Sequence, residues 1–329
     1  MPKKALSDIT RFANSRSMVA LAGILMLVAA RMAFQSGEIS YFSFDRGVAF
    51  ESANLWISDH WLSMVVNTAL ILATALSWLV IVQIFNPFRA FSALPASFYL
   101  MMMLAVPDLT DQLYTGTLLA LSIPLCTALL WASFADTGKL RHIFLLFAVL
   151  SALSMTQYCF AVYIPAFLIG CAQMKIFSLR TVLAMVFGLV TPWWIALGMG
   201  FVDFNDIHAP RIASFFTNFD TEETVNFILV GMTTAALLVI GWMANFMNII
   251  TLNANLRAFN GNLAVLSVFT LVAVFADFTN AAAYLPTLML LAAYQISYMF
   301  SKSTDNRKFI PIFIIMGAYV AFFVVRILL

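Results

Sequence analysis

The sequence predicts an all-α polytopic membrane protein, a single transmembrane helix bundle of about eleven spans. Three observations carry this. Hydrophobic residues make up 63% of the 329 and charged residues only 10%, against roughly 25% charged in ordinary soluble domains. Such a chain cannot cover a globular surface with polar groups. Its apolar residues run continuously rather than alternating, and its basic and acidic residues separate into alternate loops.

The N-terminal stretch carries Lys3, Lys4, Arg11 and Arg16 beside Leu6, Ile9 and Phe12, and Ser17 to Phe34 follow as an apolar run interrupted by Arg31. Ala29-Ala30-Arg31 is a poor signal-peptide cleavage site, which predicts a retained first helix with its basic flank in the cytoplasm. Further apolar runs lie at 61–85, 93–107, 116–135, 143–154, 160–174, 181–202, 227–250, 263–278, 282–300 and 309–327. The longer ones approach the ~20 residues that cross a hydrocarbon core as a helix. Only helices or closed barrels satisfy the backbone in lipid, and these runs are too long and too uniformly apolar for barrel strands. The 32 Phe and 7 Trp suit lipid-facing and interfacial surfaces.

Charge tests the count, because one helix too many or too few inverts every later loop. The loops assigned to the cytoplasm hold Lys3, Lys4, Arg11, Arg16, Arg89, Lys139, Arg141, Lys175, Arg180, Arg257, Lys302, Arg307 and Lys308, with Asp8, Asp136 and Asp305 the acidic residues among them. The remaining carboxylates fall opposite, chiefly in the loops 37–60 and 203–226. Lys/Arg asymmetry sets orientation, so the expectation is a bacterial inner-membrane protein with a cytoplasmic N-terminus. The alternation requires the run from Ile143 to Met174 to enter and return, as two short helices broken at Met155-Thr156-Gln157-Tyr158-Cys159. Arms of that length place Gln157 and Tyr158 at membrane depth inside protein, as candidate substrate-binding residues.

Two readings of the halves stay open: a parallel internal repeat at an offset of about 168 residues, relating helices 1–6 (1–180) to helices 7–11 (181–329), or the likeness that alternating topology gives any two halves. Arg89-Ala90-Phe91 matches Arg257-Ala258-Phe259, Asp108-Leu109-Thr110-Asp111 matches Asp277-Phe278-Thr279-Asn280, and Tyr114 with Thr117-Leu118 matches Tyr284 with Thr287-Leu288.

No motif fixes a reaction. The chain has no His-Glu-x-x-His, Gly-rich phosphate loop or Gly-x-Ser-x-Gly elbow. Cys126, Cys159 and Cys171 lie in apolar runs without metal-ligand spacing and read as core residues; no metal site is expected, and no cofactor is indicated. A net charge of +2 without a basic patch argues against nucleic acid. The chemistry-bearing residues sit in the two long outer loops. Asp45 and His208 are candidate acid–base residues, and Arg46 and Arg211, the basic residues within those loops, are candidates to grip a phosphate between the two guanidinium groups.

The run from Asn86 to Pro95 (NPFRAFSALP), Pro107-Asp108-Leu109, and Phe187 to Trp193 (FGLVTPW) resemble a bacterial family of uncharacterised multi-pass inner-membrane proteins. That resemblance implies a fold and no activity. More loosely, the topology is similar to glycosyltransferases of the C superfamily, which use lipid-linked sugars at the outer face and carry an essential carboxylate in the first outer loop. Asp45 or Glu38 stands at the matching place, but no paired acidic motif and no soluble outer domain accompany it. The resulting expectation is a protein that handles a lipid-linked envelope precursor among membrane lipids. The alternatives are a transporter, or a non-catalytic subunit docked on a protein partner in an envelope complex.

Overall fold

The computed structural model describes residues 12–36, 47–88, 92–208, 222–248, 252–302 and 309–328. Eleven α-helices are found among them: α1 (Arg16–Ser36), α2 (His60–Phe85), α3 (Leu94–Leu104), α4 (Thr115–Ala132), α5 (Leu140–Ser154), α6 (Tyr163–Gln173), α7 (Leu179–Gly198), α8 (Glu222–Asn248), α9 (Ala254–Ala276), α10 (Ala281–Lys302) and α11 (Phe309–Leu328). Described residues form no strand. Seven of the helices, α1, α2, α4, α7, α8, α9 and α11, are long and apolar enough to cross a membrane.

Local chemistry sets the ends. Asp59 caps α2 by accepting the Trp61 N–H at 3.0 Å, and Ser178 caps α7 by accepting the Thr181 N–H at 3.2 Å; each satisfies an orphan donor of the first turn. Asn86 ends α2 in the left-handed region (φ 46°), which Asn tolerates. The largest departure from the apolar runs is α9, which starts at Ala254 rather than near Leu263. Its first two turns look too polar for a span. Asn260 and Asn262 are nevertheless buried, because Tyr294 donates to Asn260 Oδ1 (3.0 Å) and Trp131 to Asn262 Oδ1 (3.4 Å).

Contacts at the helix ends sort into two faces. On one, Ser92 bonds Asn14, Phe85 packs edge-on to Trp131 and Phe259, and the Ala135 N–H donates to the Met174 carbonyl at 3.0 Å. Lys139, Lys175 and Arg257 belong to these segments, so this is the basic face. On the other, Phe34 stacks on His60, Arg326 pairs with Asp108, and Ala49 and Phe50 donate to Met155 O at 2.8 and 3.0 Å. The Ala135–Met174 bond decides the weakest step of the sequence reading. Both ends of the Leu140–Met174 segment lie on the basic face, so the chain goes in and returns.

The arms of that segment diverge: α5 packs on α4 and α7, and α6 packs on α9. At 11 residues, α3 and α6 are each about 16 Å long, well short of a hydrocarbon core. Each is joined at its acidic-face end to non-helical chain that is mostly buried in protein. At the centre stands α10, packed against α3, α4, α8 and α9, with every residue from Ala281 to Tyr298 buried.

Candidate functional site

Connections usually run over the surface because their backbone groups need water. Three connections toward the acidic face do the opposite. The segment 105–114 between α3 and α4 is buried except for a part-exposed Asp108; Met155–Phe160 between α5 and α6 is buried except for a part-exposed Tyr158; and Asp277 and Asn280 between α9 and α10 are 4% and 2% exposed. Each contains a short 3₁₀ turn: Pro107–Leu109, Tyr158–Phe160 and Phe278–Asn280.

Side chains replace the missing water. On α2, Ser63 Oγ accepts the Leu113 N–H at 2.7 Å and Asn67 Nδ2 donates to Leu109 O at 2.8 Å, while Thr117 donates to Asn67 Oδ1 at 2.7 Å. The first turn is thus held from both sides. Gly116 lets the turn approach α10, since a Cβ there would stand 3.0 Å from the carbonyl oxygens of both Ala282 and Ala283. Tyr158, bonded to Asp277 and Asn280, joins the second connection to the third, as Gly116 against Ala282 and Ala283 joins the first to the third.

The polar groups of this region form two constellations. In the first, Asp277 Oδ2 accepts the hydroxyls of Tyr158 and of Tyr284 (the latter at 3.4 Å), and Asn280 Nδ2 donates to Asp277 Oδ1 at 3.1 Å and to the Tyr158 oxygen at 2.7 Å. In the second, Arg326 grips Asp108 with two bonds, Nε to Oδ2 at 3.1 Å and Nη2 to Oδ1 at 3.2 Å. Asp111 lies three residues on, 2% exposed, with its Oδ1 buried and without a hydrogen-bond partner in the structure. Burial, and then the neighbouring Asp108 carboxylate, push the Asp111 carboxyl up from 3.8 to about 7. The Tyr114 hydroxyl is likewise buried without a hydrogen-bond partner. A carboxyl that titrates near neutrality can exchange a proton with a bound hydroxyl or amine.

The two long loops meet above the middle connection. The His208 N–H donates to Val48 O at 2.9 Å, and the next residues of that strand of chain, Ala49 and Phe50, hold Met155 O. Gly47 makes the approach possible: its φ is +88°, and a Cβ would fall 2.7 Å from Thr156 O. Met155, Ala196 and Val202 form a small apolar cluster beneath Trp193 and Ile207.

Among the residues singled out from sequence, Gln157 is fully buried, and Tyr158, part-exposed, reaches Asp277. His208 joins the two loops through its backbone, with its side chain exposed. Asp45, Arg46 and Arg211 lie outside the described residues, as does Glu38. Arg326, in the last turn of α11, pairs with Asp108. No group of three or more metal-ligating side chains occurs among the described residues. Sequence reasoning missed Asp111, Asp277, Asn280 and Tyr284 as site residues, although the repeated Asp-x-Thr-Asp/Asn pattern marked the two turns that carry them.

Compared with known proteins, the chain matches no family model, no curated protein and no solved structure.

Proposed function

We propose that this protein handles a lipid-linked envelope precursor at the outer face of a bacterial inner membrane, in the manner of a glycosyltransferase. The observation that carries the reading is the meeting of three buried irregular connections, rich in carboxylate, amide and phenol groups, beneath the ends of two long loops. Carboxylates and amides are the groups that bind sugar hydroxyls, and the surrounding helices present apolar faces to a lipid tail. Asp111 supplies the acid–base group. It accepts the proton of an acceptor hydroxyl while that oxygen attacks the anomeric carbon, and the bond from that carbon to the lipid phosphate breaks, with the electron pair leaving on the phosphate. His208 stands where the two long loops meet, and Asp45, Arg46 and Arg211 belong to those loops by sequence.

One variant tests orientation and substrate together. Cys126, Cys159 and Cys171 are buried, so a cysteine at the exposed Phe50 is the accessible thiol among the described residues. It is expected to react with a membrane-impermeant maleimide in intact cells, and in purified protein to be protected by a polyprenyl-diphosphate-linked saccharide but not by polyprenol. Failure to label overturns the orientation; labelling without protection overturns the substrate.

The broken helices favour one second reading, transport, because discontinuous helices line many transporter sites. It predicts saccharide movement in proteoliposomes without bond formation.

A further inference from the structure

Helices α8 and α9 both pack on α10 but scarcely touch one another, and two separate open clefts lie along α10. Toward the acidic face one is walled by Phe227, Met232, Ala235, Val274, Phe275 and Leu285, without a polar side chain. Toward the basic face the other is lined by Trp242, Asn245, Phe246, Asn260, Gln295 and Tyr298. From Leu285 to Gln295 along α10 is about 15 Å at helical rise, roughly one leaflet of a ~30 Å hydrocarbon core.

The lower cleft holds polar chemistry that the bundle does not fully use. Asn245 is 7% exposed. Its Nδ2 donates to the backbone and side-chain oxygens of Gln295 at 2.9 and 2.6 Å, and its Oδ1 is buried without a hydrogen-bond partner in the structure. A buried acceptor left this way is costly unless something donates to it. At the same end, Leu252 lines the cleft and its carbonyl receives the Arg257 Nη2 at 3.2 Å, which stations an exposed guanidinium beside the mouth. Trp242 and Phe246 provide aromatic faces of the kind enriched at headgroup level.

We propose that this cleft binds a phospholipid with an anionic headgroup. The phosphate and headgroup meet Arg257, a headgroup or glycerol hydroxyl donates to Asn245 Oδ1, and an acyl chain runs along α10 into the apolar upper cleft. Polarity, charge and length are graded in that one direction. The site is separate from the buried connections and does not rest on the precursor reading.

The test uses delipidated, purified full-length protein titrated by native mass spectrometry with phosphatidylglycerol or phosphatidylcholine of identical chains. Phosphatidylglycerol is expected to form a one-to-one adduct about fivefold more tightly, the worth of one basic side chain near an anionic lipid. Arg257→Gln should abolish the preference while phosphatidylcholine binding persists. Met232→Trp, which fills the upper cleft, should weaken both lipids about tenfold, equivalent to unseating about two methylenes. Both side chains are exposed, so neither change threatens folding, and thermal unfolding of each variant confirms it. Equal binding of the two lipids, a preference that survives Arg257→Gln, or Met232→Trp without effect would overturn the proposal.

Discussion

The turns that precede α4 and α10 share a sequence pattern and differ in how their carboxylates are satisfied. At the second, Asp277 receives donors from Tyr158, Tyr284 and Asn280, drawn from two separate connections. At the first, Asp108 has Arg326 from the far end of the chain, while Asp111, where the other turn has Asn280, has backbone donors from its own N–H and that of Gln112, keeps Oδ1 buried with no hydrogen-bond partner in the structure, and is pushed up by burial. A buried charge is tolerable when donors surround it and expensive when they do not. The Asp277 turn is therefore read as a structural clamp between α5–α6 and α9–α10, and the Asp111 turn as the place where a proton or a ligand is still wanted.

The comparison breaks most visibly at the clamp. Asp277→Leu strands three donors in a buried setting and is expected to destabilise the protein by about 3 kcal/mol or more, read as a lowered thermal midpoint in detergent; a change within error would mean the clamp is not structural. A smaller effect is expected at Arg326. Arg326→Leu leaves the part-buried Asp108 uncompensated and should cost about 2 kcal/mol, and adding Asp108→Asn should restore most of it, a coupling that a double-mutant cycle measures. Additive losses would show that the pair does not interact.

A third prediction sharpens the contrast by pH. Because the Asp111 carboxyl rises from 3.8 to about 7 on folding, the folded protein keeps a proton across that interval that the unfolded chain has released. Its contribution to stability is fully present below the ordinary carboxylate range and is lost as pH rises through 7. The thermal midpoint should accordingly fall by a few degrees between pH 5 and pH 8, and Asp111→Asn should flatten that slope. A slope unchanged in the variant would remove Asp111 from the account.

Much of the fold was legible because the hydrocarbon core imposes it. Continuous apolar runs mark helices, and segregated charges set their alternation. Even the return of the chain at Met155–Cys159 followed from requiring Lys139 and Lys175 to share a side. The site was harder to see. Gln157 and Tyr158 were visible as polar residues interrupting an apolar run, whereas Asp108, Asp111 and Asp277 look from sequence like ordinary acidic residues at helix ends. Nothing local shows that 105–114 folds inward, because its burial depends on Ser63 and Asn67 of a different helix.

Sequence by itself determined the class of protein and the eleven helices, since these follow from hydropathy summed over short stretches. Only the tertiary structure decided which helix is central. The strongly apolar α11 keeps Ile310, Ile314, Val324 and Val325 exposed at its surface. The central helix is α10, which the apolar run 282–300 marks as one span among eleven and which carries Tyr284, Thr287, Tyr294, Gln295 and Tyr298. In lipid, apolar side chains gain little from leaving the surface, while polar ones must find partners. The interior is therefore chosen by hydrogen bonds between distant segments, Tyr294 with Asn260 and Gln295 with Asn245, which become visible only when the helices are assembled.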